Sequence, residues 1–186
     1  MEQVVIESPY AREQMWAGQR HLQRLLKQLP EGSEAYIAGG APRDWHHGWG
    51  CRDVDIFFRT PEQYDQVKLK YRGLQDISQY SYYNGVELID VHEYPVSAGF
   101  LKFRKVQLIR LAVDPLKFIN KFPINLSRIW MDMKGKIECS NEYRIGYEGK
   151  YLLELNREQW NYTYISKILG RYSDYAFIPY KWKDNS

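Results

Sequence analysis

Asp53 and Asp55 stand one residue apart at the head of an apolar run, Val54 to Phe58 (VDIFF). A strand alternates its side chains between two faces, so the two carboxylates share one face while Val54 and Ile56 take the other. Carboxylates held side by side repel, and each favours protonation of its neighbour. A divalent cation removes that conflict. Oxygen ligands of this kind suit Mg²⁺ or Mn²⁺, which bind through one or two carboxylates together with substrate phosphates. An exposed strand can also carry such a pair as solubilising charge, so the two residues by themselves leave both readings open.

Gly39-Gly40 supplies the complementary half. It follows the short apolar run AYIA (35–38) and precedes Pro42, a residue suited to a first helical turn. Without side chains in the way, its backbone N–H groups can approach phosphate oxygens. A tight strand-to-helix turn needing positive φ is the plainer explanation of two glycines. Next to them, Asp44 favours a helix start electrostatically and Arg43 pairs within the loop. The conjunction carries the reading: a phosphate-permissive loop and a two-carboxylate site on adjacent strands, with a short helix between. His46-His47 lie between the halves, but neighbours on a helix point about 100° apart and do not chelate together easily, so solvent-facing or substrate-positioning roles are expected. Arg104, Lys105 and Arg110 form a modest basic cluster, read either as a triphosphate or nucleic-acid contact or as an ordinary charged strand flank.

The elements that must position these groups are legible in part. Ser8-Pro9 is a helix start, and Met15, Trp16, His21, Leu22, Leu25, Leu26 and Leu29 recur at helical spacing until Pro30. Strands are expected over 35–38, 54–58, 85–91, 105–111 and 126–131. Thr60-Pro61-Glu62-Gln63 reads as a capping box opening a helix that exits at Gly73. Asp114-Pro115 caps a short helix ended by Pro123, and Asn156 caps a last helix carrying Trp160, Tyr164, Ile165 and Ile168. Strands and helices mixed in this order predict an α/β (α+β) domain around one mixed sheet flanked by helices. A single domain over residues 1–186 is expected, with a core over about 31–135 and a C-terminal helical extension over about 136–186.

Composition narrows the class. At 186 residues the chain can bury one core, and 26% charged residues argue against disorder. No apolar run approaches the length of a membrane span, and Met1 to Ser8 is mixed and acidic, unlike a secretory signal. Two isolated cysteines, Cys51 and Cys139, predict free thiols in a reducing cytoplasm. A net charge of +3 tolerates an anionic partner without demanding one. The 16 tyrosines and 6 tryptophans suit a core boundary or a dimer interface, or stacking surfaces for bases, the first being the usual placement.

The run Gly39-Gly40-x-x-Arg43-Asp44, then Gly48, then Asp53-x-Asp55-Ile56-Phe57 resembles the signature of DNA polymerase β-like nucleotidyltransferases, in the form found in poly(A) polymerases and CCA-adding enzymes. A looser likeness through Val106 to Ile109 and Phe122 to Trp130 resembles minimal nucleotidyltransferase-like proteins, several of them from bacteriophages and other viruses. The resemblance implies transfer of a nucleoside monophosphate from a nucleoside triphosphate to a hydroxyl on RNA, a protein or a small molecule, an RNA 3′ end being favoured. It implies that Asp53 and Asp55 hold two Mg²⁺ (or Mn²⁺) ions, that Gly39 and Gly40 cradle the phosphates, and that Arg43 and Asp44 brace the loop beside them. It also implies a third carboxylate, expected just after Phe122, where Pro123 stands. Asn125 is neutral. Glu87 is the first candidate because its alternation with Leu88 turns it from the core, and Asp90 and Asp132 follow. Without such a group the chain is expected to be a nucleotidyltransferase-like pseudoenzyme that binds nucleotide, nucleic acid or a host protein. Neither acceptor, base preference nor oligomeric state follows from the sequence.

Overall fold

The computed structural model describes residues 2–71, 73–78, 87–95, 104–156 and 162–180. In chain order these form β1 (Glu2–Gln3), α1 (Pro9–Leu26), β2 (Ala35–Ala38), α2 (Gly40–His46), β3 (Asp53–Phe58), α3 (Pro61–Lys70), β4 (Gln75–Asp76) and β5 (Leu88–Pro95). They continue with β6 (Lys105–Leu111), α4 (Pro115–Ile119), β7 (Ile129–Met131), β8 (Ile137–Cys139), α5 (Asn141–Gly149), β9 (Tyr151–Leu153), α6 (Tyr162–Arg171) and β10 (Ala176–Ile178). Among the described residues, eight strands form one sheet in the order β1-β8-β7-β2-β3-β6-β5-β4. It is antiparallel except where β3 runs parallel to β6. The expected class, a mixed sheet flanked by helices, is the one observed, with β9 and β10 forming a second, two-stranded sheet.

Local chemistry starts several elements where the sequence places them. The Ser8 hydroxyl accepts from Ala11 N at 3.4 Å, with Pro9 opening α1. Thr60 caps α3 by accepting from Gln63 N, and Asp114 caps α4 by accepting from Leu116 N at 3.0 Å and Lys117 N at 3.2 Å. Satisfying these otherwise orphaned N–H groups is worth about 1 kcal/mol per cap.

The sheet has two unlike faces. One buries Ile37, Val54, Ile56, Phe58, Val106 and Leu108 in a core shared with Leu22 and Leu25 of α1 and with Tyr64 and Val67 of α3. The other buries Phe57, Val91, Ile109 and Leu111 beneath Phe118, Ile119 and Phe122. Along β3 and β6 this second face changes character. Phe57 and Ile109 are apolar, whereas Asp53, Asp55, Lys105 and Gln107, of the same alternation, are polar.

Several expectations need correction. Asn125–Ser127 is a 3-10 turn, so the expected strand 126–131 shrinks to β7. The region after 135 is partly strand: β8 joins the main sheet, and β9 pairs in parallel with β10. β5 begins at Leu88, and Gly85 and Val86 lie outside the described residues, as does Trp160.

Candidate active site

Gly39 follows β2, its N–H donating to Ile129 O at 2.9 Å. Its φ of 74° and ψ of −116° turn the chain sharply out of the sheet, a conformation that excludes a side chain and explains the first glycine. α2 then returns the chain toward β3. Its position is set by Gln14, a fully buried residue of α1. Gln14 Oε1 accepts from Trp45 Nε1 and from Cys51 N, both at 2.7 Å, while its Nε2 donates to Cys51 O at 3.1 Å. One side chain thus ties α1, α2 and the approach to β3 together. Gly18 of α1 leaves room for the Trp45 ring, which would lie 3.0 Å from an added Cβ.

Asp53 and Asp55 emerge from β3 beside this turn, and both face a cavity of about 470 Å³. Gly39, Gly40 and Arg43 line the same cavity, as do Gln107, Phe122 and Pro123. Its opposite wall is α6, with Tyr164, Lys167, Ile168 and Arg171. The charged lining sets Arg43, Arg52, Lys167 and Arg171 against Asp44, Asp53 and Asp55. Cations around a carboxylate pair suit a polyanion that arrives with its own metal. Asp53 Oδ1 is buried and has no hydrogen-bond partner. A buried carboxylate oxygen left alone is costly, and a hard cation completed by phosphate and water oxygens would satisfy it. The donor set therefore fits Mg²⁺ or Mn²⁺.

Arg43 and Asp44 form a buried pair, with Arg43 Nε 3.1 Å from Asp44 Oδ1. The other Asp44 oxygen pairs with Arg171 Nη2 at 3.1 Å, and Arg171 also lies over the Trp49 ring at 5.1 Å. Asp44 therefore links the start of the site to the wall formed by α6. Arg43 Nη1 is buried without a partner.

A scan of protein-family models finds no match to the sequence, and neither does a search of curated proteins. Solved structures do match. The Thermotoga maritima CCA-adding enzyme complexed with tRNA superimposes with a TM-score of 0.61 at 13% identity, over 96% of this chain and 41% of that one. The Bacillus stearothermophilus CCA-adding enzyme in complex with CTP gives 0.57 at 16% identity, over 92% and 42%. A further CCA-adding enzyme complex with CTP gives 0.58 at 13% identity, over 90% and 42%. The fold is a nucleotidyltransferase fold. At these identities the likeness is one of fold, and the chain spans about two-fifths of the length of those enzymes.

Within the nucleotidyltransferase fold, the structure brings Gly39, Gly40, Arg43, Asp53 and Asp55 to one cavity. It does not bring Glu87 there. Glu87 pairs with Lys121 at 2.5 Å, and its carbonyl accepts from Ala112 N. Ala112 lies five residues along from Gln107, roughly 16 Å at strand rise. Asp90 is opposite Arg110, whose alternation faces the α3 side of the sheet, where Arg110 pairs with Asp65. Asp132 closes the β7–β8 hairpin by accepting from Lys134 N and Lys136 N. Asn125 is fully buried and holds three backbone groups of the α5 and β9 region. The basic trio is also divided, since Arg110 and Lys105 face opposite sides of β6. His46 and His47 turn away into a second cleft with Tyr143 and Tyr147, where His46 Nδ1 lies 2.8 Å from the Tyr143 hydroxyl.

The sequence reading missed Gln14, the α6 wall and Gln107. The last of these is the side chain beside Asp55 on the neighbouring strand. Strand alternation alone offered no signal for it, because β6 follows β3 in space but not in the chain.

Proposed function

We propose that this chain is a metal-dependent nucleotidyltransferase that moves a nucleoside monophosphate from a nucleoside triphosphate to a hydroxyl acceptor. The observation that carries the reading is the meeting of the Gly39-Gly40 turn with the Asp53/Asp55 pair in one cavity, with Asp53 Oδ1 buried and unpartnered. In this reading Asp53 and Asp55 hold Mg²⁺ or Mn²⁺. A cation held there would neutralise phosphate charge and favour departure of the leaving oxygen. The open backbone at Gly39 and Gly40 receives phosphate oxygens, and Lys167 and Arg171 close the cavity over the nucleotide from α6. Arg43 lends positive charge from behind the turn, held there by Asp44. The acceptor oxygen forms a bond to the α-phosphorus as the bond to pyrophosphate breaks, and the hydroxyl proton passes to solvent.

An RNA 3′ end is the acceptor this reading favours. Support comes from the fold shared with CCA-adding enzymes, one of them seen with tRNA, and from the mild excess of cations. A second reading rests on Gln107, a neutral residue beside Asp55 where a carboxylate would assist catalysis: the chain then grips nucleotide and transfers it slowly or not at all. Incubation with each α-labelled nucleoside triphosphate, Mg²⁺ or Mn²⁺, and separate RNA and protein acceptors distinguishes the two. Label on RNA that is lost in Asp53→Asn/Asp55→Asn supports transfer to RNA. Label on protein reassigns the acceptor, and nucleotide binding without transfer favours the second reading.

A further inference from the structure

We propose that the cavity is built for a single divalent cation, because the β6 residue beside Asp55 is the neutral Gln107 and the nearest described acidic side chain on that face, Glu93, is held by Lys105. The proposal rests on reading the cavity as a metal–triphosphate site, which both functional readings share.

Register decides which side chains can join Asp53 and Asp55. β3 lies beside β6, with Asp53 against Lys105 and Asp55 against Gln107. Register partners share a face, and neighbouring strands are about 4.8 Å apart. The register neighbours of the two carboxylates on that side are therefore a lysine, whose ammonium is drawn toward β5, and a neutral amide that lines the cavity. On the other side β2 ends at Ala38, which leaves the Gly39-Gly40 turn, and this offers backbone N–H groups but no carboxylate.

The next strand supplies the nearest acidic candidate on the same face. Glu93 of β5 is the register partner of Gln107 and lies two strand spacings from Asp55, roughly 10 Å. It is already engaged. Lys105 Nζ binds Glu93 Oε1 at 2.9 Å, and Gln107 Nε2 lies 3.5 Å from Oε2. Only 12% of the Glu93 side chain is exposed, so it is held in that arrangement. Among the described residues, no group of three His, Cys, Asp or Glu side chains forms a metal-binding cluster. The stretches 79–86 and 96–103, which flank β5 in the chain, contain no Asp or Glu, whereas Glu158 and Asp184 lie outside the described residues.

Two divalent cations in one site sit about 3.5–4 Å apart and depend on anionic ligands to offset their mutual repulsion. Here two carboxylates and the triphosphate satisfy one cation. A second would lie toward β6, where Gln107 offers only a neutral amide and Glu93 is already paired with Lys105. The Lys105 ammonium neutralises Glu93, so that carboxylate has no charge to spare for a second cation.

The test counts Mn²⁺ bound per chain by electron paramagnetic resonance and equilibrium dialysis, in the presence of α,β-methylene-ATP. The expected result is one Mn²⁺ per wild-type chain, lost in Asp53→Asn/Asp55→Asn. Gln107→Asp is expected to admit a second Mn²⁺, and Lys105→Met to admit one at higher Mn²⁺ concentration, with folding checked by circular dichroism. Two Mn²⁺ ions per wild-type chain would overturn the single-cation proposal while leaving the metal–triphosphate reading intact. A folded Gln107→Asp variant that still binds one would overturn the register argument. A wild-type chain whose Mn²⁺ binding is absent, or unchanged in Asp53→Asn/Asp55→Asn, would overturn that reading and the proposal with it.

Discussion

Removing the Asp44 carboxylate separates the brace of the site from its chemistry. Asp44 is 3% exposed and sits between two guanidinium groups. Arg43 is itself buried at 5% exposure, so Asp44→Ala leaves a charge in the interior without its partner. Breaking a buried pair in this way costs about 3–5 kcal/mol. The Arg171 half contributes far less, because its side chain is 37% exposed. Pairs screened by water in that way are worth about 0–1 kcal/mol. For a domain with about 5–15 kcal/mol of stability, the first loss is large and the second small. Urea unfolding followed by tryptophan fluorescence reads the difference. With a denaturant slope of about 2 kcal/mol/M, Asp44→Ala lowers the midpoint by about 1.5–2.5 M and Arg171→Ala by less than about 0.5 M. A loss below about 1 kcal/mol for Asp44→Ala would refute the reasoning. So would equal losses in the two variants, which would show that the α6 contact carries the energy.

Gly39→Ala forces a side chain into a positive-φ turn and should cost about 1–3 kcal/mol together with nucleotide binding. Gly40→Ala places its Cβ at ordinary distance, 3.6 Å from Arg43 Nη2. It should weaken binding of a fluorescent ATP analogue while leaving the urea midpoint in place, and equal destabilisation by the two changes would count against the geometry. Gly146→Ala would overlap the Asn125 amide and approach Tyr151 O to 2.6 Å. Overpacking of this kind costs about 1–3 kcal/mol, and the Asn125 hydrogen bonds would be lost with it. A native-like urea midpoint for this variant would contradict the packing described. Burial lowers the pKa of His21 and of His46 from 6.5 to about 4, with Arg24 and His47 respectively adding to the effect. The unfolded chain then binds protons below pH 6.5 that the native chain refuses until about 4, so stability is full above pH 6.5 and declines between those values. Replacing both histidines with glutamine should flatten the urea midpoint over that range, and an unchanged slope would show that other groups cause the decline.

The parts of the fold that local chemistry determines were legible in the sequence. Ser8, Thr60 and Asp114 cap helices where their types and neighbours suggest, and β6 spans 105–111 as its apolar pattern predicts. The turn at Gly39-Gly40 and the shared face of Asp53 and Asp55 follow from glycine geometry and strand alternation. Sheet order was not legible. Glu87 satisfies an alternation rule, but that rule says nothing about which strand lies beside β3 or how far along it a residue falls. β5 is separated from β3 by β6, so Gln107 takes the place beside Asp55. α5 falls inside the expected helical extension, but its bounds were not legible because two glycines interrupt its sequence. Gly146 is required there by Asn125 and Tyr151, a tertiary reason that no local pattern carries. The same holds for Gln14, a polar residue at helical spacing whose partners lie 31 and 37 positions away.

Anomalous scattering from crystals soaked with Mn²⁺ and α,β-methylene-ATP tests the central claim most directly. The account predicts a manganese peak between the Asp53 and Asp55 carboxylates, with triphosphate oxygens on the N–H groups of the Gly39-Gly40 turn. Manganese or nucleotide elsewhere, such as in the cleft beside His46 and Tyr147, with the Asp53/Asp55 cavity left empty at saturating concentration, would contradict it.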